Sequence, residues 1–236
     1  MKCTLGARLT AEFTGTAFLV AAVVGSGVMG EKLAGGNVAI ALLANTIATG
    51  AALVALILAF GAISGAHFNP VVTLADAIEG GQSWTDASAY VAVQIVGGIV
   101  GAVMAHLMFG LSVVSISLHA RPGWALALSE FVATFGLLSV IFGCSRQRAS
   151  AVPFAVAAYI TAAYWFTAST SFANPAVTIA RSLSNTFSGI RPVDVPLFIA
   201  AQVIGGLAAT FLFRRLLPSD AVLVATSVHV AKRHSP

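Results

Sequence analysis

Residues 68–75 read Phe-Asn-Pro-Val-Val-Thr-Leu-Ala, and residues 173–180 read Ala-Asn-Pro-Ala-Val-Thr-Ile-Ala. The Asn-Pro pair thus occurs twice, in matching apolar surroundings. Asn is a strong helix N-cap and Pro is favoured at the first helical position, so each copy predicts a helix start. The two predicted helices cover residues 69–79 and 174–185. Eleven residues rise roughly 16 Å, about half of the hydrocarbon core of a bilayer.

The composition indicates that the remaining chain lies in a membrane. Of 236 residues, 58% are hydrophobic and 8% are charged, and the mean hydropathy is +0.94. Soluble domains carry roughly 25% charged residues. We therefore predict one membrane domain over residues 1–236 whose partner is the lipid bilayer. No nucleic acid is expected as a partner, because the basic residues flank apolar segments instead of forming one patch.

Six apolar segments are long enough to span the bilayer, since a spanning helix needs about 20 residues. They cover residues 9–30, 38–61, 84–110, 123–144, 150–168 and 194–217. With the N-terminus inside, the inner segments carry eight Lys or Arg and the outer segments carry four. This bias predicts that both termini are cytoplasmic, in an inner or plasma membrane.

The two halves of the chain repeat each other beyond the Asn-Pro pair. Glu12 in Ala-Glu-Phe-Thr-Gly-Thr corresponds to Glu130 in Ser-Glu-Phe-Val-Ala-Thr, and Gln94 corresponds to Gln202, each followed by a Gly-Gly pair. Repeat 1 covers about 8–110, repeat 2 covers about 123–217, and residues 218–236 form a cytoplasmic tail. Three spans per half make this an inverted repeat. The predicted fold is all-α, with six transmembrane helices and two re-entrant half-helices.

The half-helices of an inverted repeat enter from opposite faces and meet at the midplane. The oxygen of each Asn side chain can cap its own helix, which leaves amide N–H groups to donate to a neutral solute. The two helix starts also place positive dipole ends at the centre, where they oppose cations. The predicted central motif of the pore comprises Asn69, Pro70, Val71, Asn174, Pro175 and Ala176.

Glu12 and Glu130 lie inside apolar spans, where a charge is costly. They either have a catalytic or proton-carrying role or accept hydrogen bonds from the backbone of buried re-entrant loops, and their symmetric placement favours the structural role. His67 is expected to support its loop instead of binding a ligand or gating with pH. The remaining histidines show no metal-ligand spacing. We predict no metal, no cofactor and no enzymatic activity, because no nucleophile–base pair or phosphate loop is present.

These motifs together resemble the aquaporin or major intrinsic protein family. Residues 64–70, Ser-Gly-Ala-His-Phe-Asn-Pro, are similar to its first-loop signature, and Asn174-Pro175-Ala176 to its second. The resemblance implies the aquaporin fold, one pore per subunit and a homotetramer. Members known from bacterial arsenic-resistance operons carry the same Ala-Asn-Pro-Ala-Val segment as residues 173–177.

The chain departs from the family pattern at the selectivity filter. The family's four constricting positions, counted from the two Asn, fall on Thr49, Ala162, Ser171 and Val177, with Ala163 as a one-residue alternative to Ala162. Val177 replaces the usual Arg. The predicted filter is therefore wide and uncharged, which favours neutral solutes larger than water, such as glycerol. The resemblance to the arsenic-operon members implies arsenous acid and methylated arsenicals as further solutes, beside water. A water-selective channel, a proton-coupled transporter using Glu12 or Glu130, and a cation-leaky pore remain alternatives.

Arg181 lies one helical turn beyond Val177, on the same face of the second half-helix. It either draws anions or polar solutes to the outer vestibule, or is a salt-bridged or snorkelling residue at a helix end. Asp76 occupies the matching place in the first half.

Overall fold

The computed structural model describes residues 3–217, and these residues form eight α-helices and two short 3₁₀ turns. The helices are α1 Leu5–Leu33, α2 Val38–Ser64, α3 Pro70–Ile78, α4 Trp84–Met108, α5 Trp124–Gln147, α6 Val152–Phe166, α7 Pro175–Ser182 and α8 Val195–Leu216. Six helical segments are long and apolar enough to cross a membrane. The predicted fold class, six spans and two half-helices, is confirmed. The predicted tail lies outside the described residues.

Both half-helices begin at the Asn-Pro pairs. The Asn69 side chain accepts from the backbone N–H of Val71 at 2.9 Å. The Asn174 side chain accepts from Ala176 and Val177 at 3.0 and 3.3 Å. Pro70 and Pro175 occupy the first helical position, where their missing N–H costs nothing. Helices α3 and α7 are nine and eight residues long, so neither spans a bilayer.

The two repeats pack by equivalent contacts. Helix α1 packs against α2 and α4, and α5 packs against α6 and α8. A Cβ atom at Gly97 of α4 would lie 2.5 Å from the carbonyl oxygen of Phe13, and one at Gly205 of α8 would lie 2.5 Å from that of Phe131. Only glycine permits these approaches, as is typical of close helix pairs in membranes.

Each half-helix also packs on the opposite repeat, α3 against α8 and α7 against α4. Val71 of α3 faces Gly206 of α8, and Ala176 of α7 faces Gly98 of α4. The repeats are therefore interleaved and do not form separate bodies.

The molecule has two faces, which we name by what lies on them. On the terminal face, Arg8 of α1 pairs with Asp86 of α4 at 2.6 Å, and Arg214 of α8 pairs with Glu79 after α3 at 2.5 Å. On the loop face, the segment after α4 runs beside the segment after α7: the backbone N–H of Ser117 donates to the carbonyl of Ser182 at 2.9 Å.

The steric fit between α3 and α8 gives a first test. An added methyl group in Gly206→Ala would overlap a methyl group of Val71, and overpacking of this kind costs about 1–3 kcal/mol. We expect a lower thermal midpoint in detergent, restored in part by Val71→Ala in the double variant. Gly143→Ala on α5 is the control, because its added Cβ would meet nothing closer than the Phe213 ring at 3.7 Å. Equal midpoints for Gly206→Ala and Gly143→Ala would contradict this packing.

Candidate functional site

A cavity of about 310 Å³ lies between the half-helices. Apolar side chains of α1, α2, α5 and α6 form one part of its wall. Polar side chains come from the two loops that lead into α3 and α7 and from several of the helices. Asn69 and Asn174 both line it. Its ends reach Glu79 towards the terminal face and Arg181 towards the loop face.

The two Asn side chains tie the loops together. The Asn69 amide donates to the carbonyl of Ala173, and the Asn174 amide donates to the carbonyl of Phe68, both at 2.7 Å. An amide carries two N–H groups. One N–H of each Asn is therefore committed to the opposite loop, and the other is left for the cavity, where a solute hydroxyl can accept it.

The loops before the half-helices hold a strained backbone. Five non-glycine residues have φ between 47° and 62°: Ala66, Phe68, Thr170, Ser171 and Ala173. This left-handed conformation is uncommon outside glycine and costs of order 1–3 kcal/mol for each residue. Ala66 and Phe68 in the first loop correspond to Ser171 and Ala173 in the second. The strain is thus a repeated feature that the surroundings must stabilise.

Glu12 and Glu130 supply that stabilisation. Glu12 accepts from the backbone N–H groups of His67 and Phe68 at 2.9 and 2.7 Å. It also accepts from Ser64 and Gln94. Glu130 accepts from the N–H groups of Phe172 and Ala173 at 2.9 and 2.8 Å, and from Gln202. Both carboxylates are fully buried, and neither lines the cavity. This geometry supports the structural interpretation of the two glutamates.

The glutamine and threonine side chains complete each support. Gln94 bridges Glu12 and Thr73 at 2.8 and 2.9 Å. Gln202 bridges Glu130 and Thr178 at 2.6 and 2.9 Å. Sequence reasoning noted the repeated glutamines but missed the threonines, although both occupy the same place in the repeated Asn-Pro-x-Val-Thr pattern.

His67 lies where its loop meets the cavity. Its Nδ1 is 3.2 Å from the hydroxyl of Thr73, and its ring packs against Tyr90 with centroids 5.6 Å apart. These contacts are those of a loop support. Within residues 3–217, no group of three or more His, Cys, Asp or Glu is placed to hold a metal ion.

The other residues of the two motifs pack instead of lining the cavity. Pro70, Val71, Pro175 and Ala176 are all buried, and none of them lines the cavity. Of the six predicted motif residues, only the two Asn face the solute path. Val71 therefore affects the pore through its packing on Gly206.

Three of the four predicted filter residues, Thr49, Ser171 and Val177, line the cavity. Ala162 does not, and this prediction is wrong, because Ala162 lies on the exposed face of α6. Ala163 is buried but does not line the cavity either. The residue of α6 that does so nearest the loop face is Tyr164, whose hydroxyl donates to that of Thr49 at 3.3 Å.

Helical periodicity explains this correction. Val152, Val156, Ile160 and Tyr164 line the cavity at four-residue spacing. Residues two apart on a helix point about 200° from each other, so Ala162 faces away from both Ile160 and Tyr164. The four-residue apolar pattern was visible in the sequence. Counting from Asn174 missed it, because that count assumes a fixed loop length between α6 and α7.

Arg181 is buried, lines the cavity and is not a snorkelling residue. Its Nε donates to the carbonyl of Ser188, and its guanidinium carbon lies 3.3 Å from the centre of the Phe172 ring. It takes part in none of the ion pairs among residues 3–217. The structure therefore places an unneutralised cation one turn from Val177.

A second arginine, which sequence reasoning did not single out, contacts the same aromatic ring. The guanidinium carbon of Arg121 lies 4.9 Å from the centre of Phe172. Its Nε and one Nη donate to the carbonyls of Gly189 and Ser169 at 2.8 and 3.1 Å. Burial lowers the pKa of Arg121 to about 10, so this guanidinium is still protonated at neutral pH.

Six spanning helices, two half-helices that begin inside the bundle and a cavity between them define a multi-pass membrane channel. Comparison with known proteins agrees. The family model described as major intrinsic protein matches residues 2–158 and 145–235, and the chain belongs to this family. Membership confirms the predicted family and confirms a channel instead of an enzyme.

Individual relatives point the same way. Aquaglyceroporin AqpS of Rhizobium meliloti (strain 1021) is 52% identical over 225 residues, which cover 95% of this chain and 96% of that protein. Aquaporin A of Dictyostelium discoideum is 33% identical, over 87% of this chain and 77% of that protein. The crystal structure of the aquaglyceroporin from Plasmodium falciparum matches with a TM-score of 0.72 at 17% identity, covering 94% of this chain and 100% of that one. The last likeness shows the shared fold.

The loop support gives a second test. In Glu130→Gln one carboxylate oxygen becomes an NH₂ group, so at least one donor facing it loses its acceptor. An unsatisfied buried donor costs about 1–3 kcal/mol. We expect a clear fall in the thermal midpoint, and none for the exposed Glu31→Gln at the end of α1. Unchanged stability, together with loss of a pH-gradient-dependent uptake, would instead favour a proton carrier.

The corrected filter gives a third test. Tyr164→Ala removes an aromatic ring from the wall, and we expect a four-carbon polyol to gain permeability relative to glycerol by about threefold or more, or roughly 0.7 kcal/mol of barrier. Ala162→Phe adds a ring on the exposed face of α6 and should leave the ratio unchanged. Swelling of vesicles measures both. A change in the Ala162→Phe variant alone would restore the original assignment.

Proposed function

We propose that this protein is a passive channel for small neutral solutes, with a filter formed by Thr49, Tyr164, Ser171 and Val177. The substrates are glycerol-type polyols, arsenous acid, methylated arsenicals and water. The observation that carries the proposal is that an aliphatic side chain, Val177, lines the cavity one turn beyond Asn174. No arginine guanidinium at this position therefore orients or blocks a solute.

The chemistry of the wall fits hydroxylated solutes. Thr49, Tyr164 and Ser171 offer hydroxyl groups to the cavity, and Val177 offers an apolar surface. The Ser171 hydroxyl is buried and has no hydrogen-bond partner among the described residues. A polyol presents both hydroxyl groups and a carbon chain. The hydroxyl groups of the wall can form hydrogen bonds with the former, and Val177 can contact the latter. Tyr164 makes the filter narrower than four small residues would.

Relatives support the same solute class. The relative with 52% identity is named an aquaglyceroporin, a name that implies passage of glycerol as well as water. Arsenous acid is a neutral trihydroxide of similar size. It is proposed from the resemblance of the segment Ala173-Asn174-Pro175-Ala176-Val177 to members from arsenic-resistance operons.

A water-selective channel is the second candidate, since the two central Asn suit water as well as polyols. The proton-coupled alternative is disfavoured, because neither Glu12 nor Glu130 lines the cavity. We further propose that the chain is one membrane domain in the inner or plasma membrane. Arg146 and Arg214 lie on the terminal face, which supports a cytoplasmic position for both termini. A homotetramer is proposed from family membership.

Liposome flux tests the function directly. Purified protein should pass glycerol and arsenous acid well above protein-free vesicles. Val177→Arg adds a charged fork to the filter, and we expect both solute fluxes to fall about tenfold or more, or roughly 1.4 kcal/mol of barrier. Val177→Leu is the control, because it adds volume without charge. Fast water flux with no solute flux in the unmodified protein would instead establish a water channel.

A further inference from the structure

The cavity carries opposite charges at equivalent places near its two ends. Asp76 lies seven residues after Asn69, and Arg181 lies seven residues after Asn174. Each is one turn beyond a valine of its half-helix, Val72 or Val177, and all four residues line the cavity. The inverted repeat therefore places a carboxylate towards the terminal face and a guanidinium towards the loop face.

The centre of the pore and its loop-face end are positive. Two half-helix N-termini meet at its centre, each equivalent to about half a positive charge. Arg181 adds a full charge with no ion-pair partner among residues 3–217. Arg121 adds another at the same end. These groups oppose cations, but they attract anions, and none of the four proposed filter residues carries a negative charge that would repel one. This distribution of positive charge therefore favours a leak of anions through the pore.

One carboxylate in the cavity wall is free to oppose this leak of anions. Two acidic residues line the cavity, Asp76 and Glu79. The Glu79 carboxylate is neutralised by Arg146 at 2.6 Å and Arg214 at 2.5 Å. The Asp76 carboxylate makes no hydrogen bond or ion pair with any other residue of the described chain, and it is only partly buried.

Helix stability does not account for Asp76. It lies in the last turn of α3, at the negative end of the helix dipole, where an acidic side chain is unfavourable. Arg181, by contrast, lies in the last turn of α7, where a cation is favourable. Space beside the Asp76 carboxylate is left by Gly81, where an added Cβ would overlap it. The carboxylate therefore lies beside Gly81 in the cavity wall, at a position that is unfavourable for the helix itself.

We propose that Asp76 is the anion-excluding residue of the pore, and that it sets ion selectivity jointly with Arg181. The positive centre and Arg181 stop cations, and Asp76 stops the anions that those same groups attract. Neutral solutes pass both. This inference rests on the proposed function as a channel for neutral solutes.

Chloride efflux tests the inference. Vesicles made permeable to potassium by an ionophore are loaded with potassium chloride, and efflux is measured beside glycerol-driven swelling in the same preparation. A unit charge beside the path changes the rate for a monovalent ion by about tenfold or more. We expect the unmodified protein to pass glycerol but no chloride. Asp76→Asn should raise chloride efflux per unit of glycerol flux by that factor.

Three variants sharpen the test. Asp76→Glu keeps the charge and should keep chloride out. Arg181→Gln in the Asp76→Asn background should lower the new chloride efflux, because the attracting cation is gone. Asp86→Asn is the matched control, since Asp86 lies on the same face but pairs with Arg8 and does not line the cavity. Asp76→Ser replaces Asp76→Asn if the amide variant does not fold.

The outcomes separate the two proposals. Chloride efflux in Asp76→Asn equal to that in Asp86→Asn, with glycerol flux intact, overturns the role of Asp76 and leaves the solute channel standing. Chloride efflux through the unmodified protein also overturns it. Absence of glycerol flux in the unmodified protein defeats the proposed function instead.

Discussion

The structure depends on one constraint: backbone N–H and C=O groups inside a bilayer must find partners within the protein. A helix that stops at the membrane centre leaves such groups exposed, and the loop leading into it exposes more. Glu12 and Glu130 meet this constraint, because each carboxylate accepts two successive loop N–H groups. The glutamates therefore fix where the half-helices begin. That position in turn decides where the two Asn side chains face the cavity.

The same arrangement explains how the pore is both rigid and permissive. The Asn cross-links hold the two loops together at the centre, so the central donors are fixed in place. Towards the loop face, the filter wall is formed by hydroxyl groups and one aliphatic side chain, with both arginines drawn onto the Phe172 ring. Fixed polarity at the centre and an uncharged wall at the filter suit a neutral hydroxylated solute.

The sequence predicted the elements that depend on local chemistry and missed those that depend on loop length. Asn-Pro marks a helix start wherever it occurs, and a buried Glu repeated in two halves needs two equivalent roles. Both features were therefore readable. Ala162 was placed by counting back from Asn174, and the count failed because the loop after α6 sets its own register. The stacking of Arg181 on Phe172 joins residues nine apart through a turn, which no periodicity reports.

The contacts of Val71 with Gly206 and of Ala176 with Gly98 have a consequence for how the chain is made. During synthesis the helices leave the ribosome in order, and α3 emerges long before α8. Helix α3 therefore lacks its packing surface on α8 until that last helix has been inserted. The second half-helix finds α4 already in place. Biogenesis is thus asymmetric although the finished architecture is not, and the last helix closes the fold.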